Sequence, residues 1–210
     1  MKATFTLIVL AIALGFTSCT TSDNEVMDNV SNFNSIKSIY GIEEASFGAA
    51  EKNNVPSVTV EEMEGVLEAF RANSNTQKEC IVADSGKGAN AERTVSMVGN
   101  YKVTTRSGSF VEDFALCVNL KFSIEKGQVY YWGTDYTYSS DMFEWRADGL
   151  SLANVKGTSY TYGFESTSYL YFRVLDEGDC LVRVPVVFKG SHNFETGTGT
   201  YSFQLLKYSK

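Results

Sequence analysis

Histidine is nearly missing from this sequence. The single copy, His192, stands in Gly190-Ser191-His192-Asn193, so any Ser-His-Asp or Cys-His scheme would have to pass through it. No nucleophile-elbow pattern accompanies it. A lone histidine between two strand-like segments is expected to be a solvated turn residue, and no catalytic role is assigned to it. Basic residues are also short: 18 Lys and Arg stand against 25 Asp and Glu, a formal net charge of −7. Without a Lys/Arg cluster the chain lacks the footprint that phosphate backbones require, which argues against nucleic acid as a partner. The same balance argues against electrostatic docking on anionic lipid. Long apolar runs are absent too. The one candidate, Phe5 to Phe16, is shorter than the roughly 20 residues that cross a hydrocarbon core. Proline is limited to two residues, Pro56 and Pro185, so the second half can run as strand with few interruptions. Pro185 suits an edge position or a bulge.

Gly86-Lys87-Gly88-Ala89-Asn90-Ala91 follows the apolar Ile81-Val82-Ala83 and mimics a dinucleotide-binding turn. That fingerprint requires a following helix within βαβ units. Here strand-like sequence from Thr94 to Val103 follows, and the loop reading prevails. The stretch Asp84 to Glu92 also lacks the alternating Asp/Asn ligands of a calcium loop. No cofactor is implied.

The first segment does carry a message. Met1-Lys2 precedes the apolar run, and Thr17-Ser18-Cys19 closes it, which are the three parts of a secretory signal. A cysteine directly after small residues resembles the lipobox of bacterial lipoproteins. Phe16 stands where a Leu is usual, a departure that resembles lipoproteins of the Bacteroides type. The resemblance implies removal of residues 1–18, acylation of Cys19 and attachment to the outer membrane. Asp23 and Glu25 resemble the acidic surface-export signal of those lipoproteins, which implies that the domain is expected to face outward on the cell surface. Several acyl chains, at roughly 0.8 kcal/mol per buried methylene, would supply the anchoring that charge does not.

With Cys19 acylated, Cys80, Cys117 and Cys180 remain, enough for one disulfide and one leftover thiol. Their spacing matches no zinc motif. Cys117 lies mid-strand whereas Cys80 and Cys180 lie near loops, which favours a Cys80–Cys180 pair. The alternative is three reduced, buried thiols.

Residues 19–56 are rich in Asn, Ser and acids and are expected to form a lipidated N-terminus and flexible spacer. Residues 57–210 are expected to be one β domain with an N-terminal helix, 59–73. Thr59 and Glu62 fit a capping box, and Val58 and Met63 fit a hydrophobic staple. Val60, Met63, Leu67 and Phe70 then recur at helical spacing. From about Thr94 the period becomes 2. The clearest strand runs from Phe114 to Ile124, with Leu116, Val118, Leu120 and Phe122 on one face. Lys126-Gly127, Asp148-Gly149, Lys156-Gly157 and Glu177-Gly178 read as hairpin tips. In a two-sheet sandwich, Arg106 to Asp113 and Lys189 to Thr198 are the expected crossovers. The fold expected is all-β: an antiparallel meander of about eight strands closing into a barrel, with a β-sandwich as the alternative. Val98-Gly99-Asn100-Tyr101-Lys102 and Phe143-Glu144-Trp145-Arg146-Ala147-Asp148-Gly149 faintly resemble segments of lipocalin-like barrels. That resemblance bears on fold and carries no activity across.

Aromatic residues rise above background between Tyr130 and Tyr171. Alternation puts Tyr130, Trp132, Tyr136 and Tyr138 on one strand face. It puts Tyr169, Tyr171 and Arg173 opposite the core face formed by Leu170, Phe172 and Val174. With Trp145 these rings offer large contact area at little entropic cost. The function expected is that of a non-catalytic cell-surface binding protein taking a glycan or a protein through these rings. One alternative is a structural or assembly subunit of an envelope complex. A second is a glycan-directed hydrolase built on two of Glu112, Asp113, Asp135, Asp141, Glu144 and Glu165.

Overall fold

The computed structural model describes residues 23–73, 78–79, 81–85, 91–108, 111–125, 128–147, 151–154 and 161–207. Cys19, the segment 1–18, Cys80 and three of the expected hairpin tips, at 126–127, 148–149 and 156–157, lie outside the described residues.

Three helices lead the chain. The first is α1 (Asp23–Tyr40), followed by strand β1 (Glu43–Glu44), α2 (Ala49–Lys52), β2 (Ser57–Val58) and α3 (Val60–Asn73). The capping box on α3 forms as its sequence predicts. The Thr59 amide donates to Glu62 Oε2 at 2.8 Å, and the Glu62 amide donates to Thr59 Oγ1 at 3.2 Å. Asp176, from a distant turn, accepts the Val60 amide on both carboxylate oxygens at 3.1 Å. A carboxylate at this end also complements the helix dipole. The predicted stripe Val60, Met63, Leu67 and Phe70, joined by Val66, is buried. Each large side chain buried this way contributes about 1.5–3 kcal/mol.

The expected spacer differs. From Asn32 onward the segment packs into the domain. Phe33, Ile36, Tyr40 and Ile42 join the core, and the Tyr40 hydroxyl donates to Glu68 of α3. The stripe 33, 36, 40 has helical spacing, but it is narrow and diluted by polar neighbours. Residues 43–58 then strap the tip of a β-hairpin. Glu43 and Glu44 pair with Arg183 and Val182 on one side, and Ser57 and Val58 pair with Arg173 and Val174 on the other.

Nine further strands build two sheets: β3 (Lys78–Glu79), β4 (Ile81–Ser85), β5 (Ala91–Thr104), β6 (Val111–Glu125), β7 (Gln128–Ser139), β8 (Glu144–Ala147), β9 (Ser151–Asn154), β10 (Thr161–Val174) and β11 (Cys180–Asn193), closed by a tenth, β12 (Thr198–Leu205). The smaller sheet runs β4-β5-β6-β7. The larger runs β2-β10-β11-β12-β3, with β1 on β11 and with β8 and β9 on β10. The chain meanders within β4-β5-β6-β7 and within β10-β11-β12, but the single eight-strand meander expected is broken between β7 and β8, and the barrel does not form. The two sheets are not closed into a cylinder, so the fold is sandwich-like. β7 pairs only with β6 among the described strands.

Tyrosine hydroxyls bridge the sheets where backbone pairing does not. Tyr201 Oη on β12 accepts the Val98 amide and donates to the Val98 carbonyl, both at 2.8 Å, past the end of β4. Tyr162 on β10 donates to the Val129 carbonyl of β7 at 2.9 Å. Inward residues of both sheets, such as Val95, Leu116, Leu120, Phe172, Val184 and Phe188, meet α1 and α3 in one core.

Both expected crossovers are hairpins instead. Thr104 faces Val111, and Asn193 faces Thr198. In the second, Asn193 Oδ1 accepts the Glu195 and Thr196 amides at 2.8 and 3.0 Å, and Gly197 supplies a φ of +71°. An Asx turn with a left-handed glycine turns the chain in four residues. Pro185 sits in the gap between β12 and β1, where β11 needs no amide donor on that side, and its carbonyl accepts the Leu206 amide at 3.0 Å. That is the edge-like position expected of it.

Candidate functional site

The aromatic strand β7 does not present one face. Its register against β6 shifts at Lys121/Phe122: Lys121 opposes Gly133, while Phe122 opposes Tyr131. A bulge of this kind inserts one residue and reverses the inward/outward alternation beyond it. Tyr130 and Trp132 therefore point outward. Tyr136 and Tyr138, opposite the core residues Val118 and Leu116, point inward. The expected four-ring face is thus split in two.

Of the inner half, Tyr136 packs against the core, whereas Tyr138 lies at its rim and is 41 % exposed. Tyr136 meets Trp145 edge-on at 5.7 Å and Phe188 at 6.1 Å, and Tyr138 stacks on Phe143 at 6.0 Å. Burial raises the pKa of both phenols, and for Tyr138 the charge of Glu144 adds to it. Trp145 is 5 % exposed, and its indole nitrogen has no hydrogen-bond partner among the described residues.

Tyr169, Tyr171 and Arg173 lie on the outer face of the larger sheet, as the alternation predicts. The strap at 43–58 covers them. Phe47 lies 4.9 Å from the Tyr171 ring, with the Arg146 guanidinium 4.2 Å over Phe47. Arg183 stands 4.5 Å over Tyr169 and pairs with Glu43 at 2.8 Å. Arg173 and Lys52 both bind the Asp179 carboxylate, which they hold down to about 2. These residues fasten the strap.

The outer half of β7 is open, and Tyr131 on the same strand is also exposed. Tyr130 is 46 % exposed and Trp132 52 %. Side chains directly opposite on neighbouring strands share a face, so the same surface carries the row Ser96–Asn119–Asp135 and, beside it, Lys121. Ser96 Oγ donates to Asn119 Oδ1 at 2.6 Å. Lys121 pairs with Asp135, and its ammonium lies 5.1 Å from the centre of the Trp132 ring. Gly133, between Trp132 and Asp135, would meet nothing within 4 Å if it carried a Cβ. The Lys121 side chain thus spans from the Asp135 carboxylate to the Trp132 ring, with the Asn119 amide beside it on the same face. Further along the face, Asn100, Lys102, Asp113, Ala115 and Ser139 line a shallow concavity of about 400 Å³. Sequence reasoning did not single out Asn119, Lys121 or Gly133. In the alternating pattern of β6 the first two read simply as the solvated face.

His192 is not the solvated turn residue expected. It lies within β11, is 1 % exposed, and meets Phe194 edge-on at 4.7 Å. Neither ring nitrogen has a hydrogen-bond partner among the described residues. Burial, with the charge of Arg93 adding to it, lowers its pKa to about 4. Cys180 is a free, half-buried thiol whose pKa is pushed up by burial, and Cys117 is also free. Four of the acids considered for hydrolysis make contacts of their own. Glu144 pairs with Arg146 at 2.8 Å, Asp135 with Lys121, and Glu112 accepts the Asp141 amide at 3.2 Å. Among the described residues no group of His, Cys, Asp and Glu is arranged to hold a metal ion, and no helix is long and apolar enough to cross a membrane.

No curated protein and no solved structure matches the chain. One family model does, over residues 24–205, a span that takes in α1, the strap and both sheets, and the chain belongs to that family, described as Domain of unknown function (DUF5033).

Proposed function

We propose that this protein is a non-catalytic, lipid-anchored binding protein of the outer cell surface, and that it takes a glycan on the outer face of the β4-β5-β6-β7 sheet. The observation that carries the binding reading is the pairing of exposed Tyr130 and Trp132 with the polar row Ser96–Asn119–Asp135 on one rigid surface. A sugar needs both elements: an aromatic plane for its C–H face and amide or carboxylate groups for its hydroxyls. β7 places the two rings two residues apart, on roughly a 7 Å spacing along the strand. The anchoring reading rests on Cys19 and the signal that precedes it.

Affinity-gel retardation and a glycan array with the full chain test the binding. Trp132→Ala is expected to weaken retention by about tenfold or more, as loss of a central aromatic contact does. Stability should hold within about 0.5 kcal/mol, because the side chain is exposed. Retention unchanged by Trp132→Ala would move the site elsewhere. For the anchor, Cys19→Ala is expected to shift the protein from the membrane fraction to the soluble fraction, and external protease on intact cells should cleave the parent protein. Persistence of the variant in the membrane fraction would contradict acylation at Cys19.

A further inference from the structure

A second surface, independent of the glycan-binding reading, lies under the strap. We propose that residues 43–56 act as a built-in pseudo-ligand: they lift from the tip of the β10–β11 hairpin and yield their place to an acidic, aromatic-bearing peptide segment of a partner protein. The chemistry of that segment is set by what the strap itself presents. Three of the six arginines in this acidic chain, Arg146, Arg173 and Arg183, gather on one face with Tyr169 and Tyr171. The strap answers them with a carboxylate and, four residues on, a ring. Glu43 pairs with Arg183 at 2.8 Å, and Phe47 meets both the Tyr171 ring at 4.9 Å and the Arg146 guanidinium at 4.2 Å. The charge of Glu51 also reaches Arg146.

The fastenings of the strap are local. Val55, Tyr171 and Leu181, with Ala45, Phe47 and Tyr169 packed against them, form a cluster separate from the main core. Lifting the strap therefore leaves the core between the sheets in place. Backbone bonding to the hairpin stops at Ala45, whose amide donates to the Leu181 carbonyl, and resumes at Pro56, whose carbonyl accepts the Arg173 amide. Between those points, among the described residues, the strap's backbone bonds only to itself. The Glu43–Arg183 and Lys52–Asp179 pairs are part-exposed, and pairs of this kind hold weakly and are screened by salt. A segment so held opens at less cost than the whole domain. On lifting, Arg173 keeps Asp179 and Arg146 keeps Glu144, whereas Arg183 loses Glu43, and Tyr169, Tyr171 and Leu181 lose their cover. An arriving segment then pairs antiparallel with Val182 and Arg183, as Glu44 and Glu43 do, which is recognition by strand addition.

The test uses the full chain and, as probe, a fluorescent peptide of residues 43–56, beside the same peptide carrying Glu43→Gln and Phe47→Ala. In the protein, Phe47→Ala loosens the strap without touching the main core. It is expected to bind the probe about tenfold or more tighter than the parent, because the open state is more populated. Adding Arg183→Gln should weaken that binding by about tenfold, and the substituted peptide should bind neither chain. Hydrogen exchange of the parent reads lifting without any variant. The Ala45 and Arg173 amides, bonded across the strap, should exchange faster as salt rises, while amides in the middle of β10 and β11 do not. Salt-independent exchange at Ala45 and Arg173 would overturn the lifting. No binding of the probe to Phe47→Ala would overturn the site, and equal binding of the substituted peptide would overturn its chemistry. A salt-induced dimer in light scattering would give the face to the strap of a second copy and overturn the separate partner.

Discussion

Gly190→Ala is expected to lower the melting temperature by about 4–10 °C. Gly190 lies mid-strand in β11, opposite Phe164 on β10 and Tyr201 on β12. A Cβ there would stand 2.7 and 2.8 Å from two carbons of the Phe164 ring, and closer still to the Thr200 carbonyl oxygen. The ring could turn aside, but the carbonyl belongs to the neighbouring strand and moves only with the ladder. Overpacking of this kind costs about 3 kcal/mol, and for a chain of this length each kcal/mol shifts the midpoint by about 2–4 °C. Removing a glycine from the unfolded chain returns only about 0.4–1 kcal/mol, so the clash wins. Gly133→Ala, with open space at its Cβ, serves as the control and should melt with the parent. Calorimetry of the two variants checks the comparison. Equal melting temperatures would mean that β11 and β12 are not held at this spacing.

The second large effect is acid sensitivity through His192. Its folded pKa of about 4 lies below the ordinary value of 6.5, so between those two values the unfolded chain binds the proton and the folded chain does not. Stability from this group is therefore complete above about pH 6.5 and falls as the pH drops toward 4, by on the order of 3 kcal/mol. The cause is structural. The ring is sealed against Phe194 without a hydrogen-bond partner among the described residues, and the Arg93 guanidinium, which donates to the Phe194 carbonyl at 3.1 Å, repels a second positive charge. Glu177, raised by burial, works in the opposite direction, so the informative quantity is the difference from His192→Leu. Urea unfolding between pH 4 and 7 should show the parent losing stability relative to that variant on acidification. Parallel curves would place His192 in water.

Much of the frame was legible because its signals were local and repeated. The Thr59/Glu62 box and the stripe to Phe70 need only a 3.6-residue period, and the alternation from Phe114 to Phe122 needs only a period of 2. The antiparallel hairpins followed from the short breaks between strands. Closure did not, since whether β7 finds a partner is decided by long-range pairing that no local pattern encodes. The Asx turn at Asn193 was hidden for a different reason. Gly190 and Ser191 look like loop residues but continue β11, which carried His192 into the interior.

The site was half legible. Trp132 and Tyr130 were identified by residue type. The bulge opposite Lys121/Phe122 then separated them from Tyr136 and Tyr138, because one inserted residue inverts every side chain beyond it. Tyr171 was assigned to the correct face, but its cover, Phe47, lies in a segment whose composition resembles a linker.

The protein's two tryptophans offer a direct test of the central claim, that the outer face of the β4-β5-β6-β7 sheet is the binding surface. Trp132 is half exposed on that face, and Trp145 is buried in the core at 5 % exposure. Each contributes one indole N–H resonance to a 15N-correlated NMR spectrum of the protein. Titration with a neutral oligosaccharide should move the Trp132 resonance progressively to saturation and leave that of Trp145 in place. Movement of Trp145 alone, or of neither, would contradict the account.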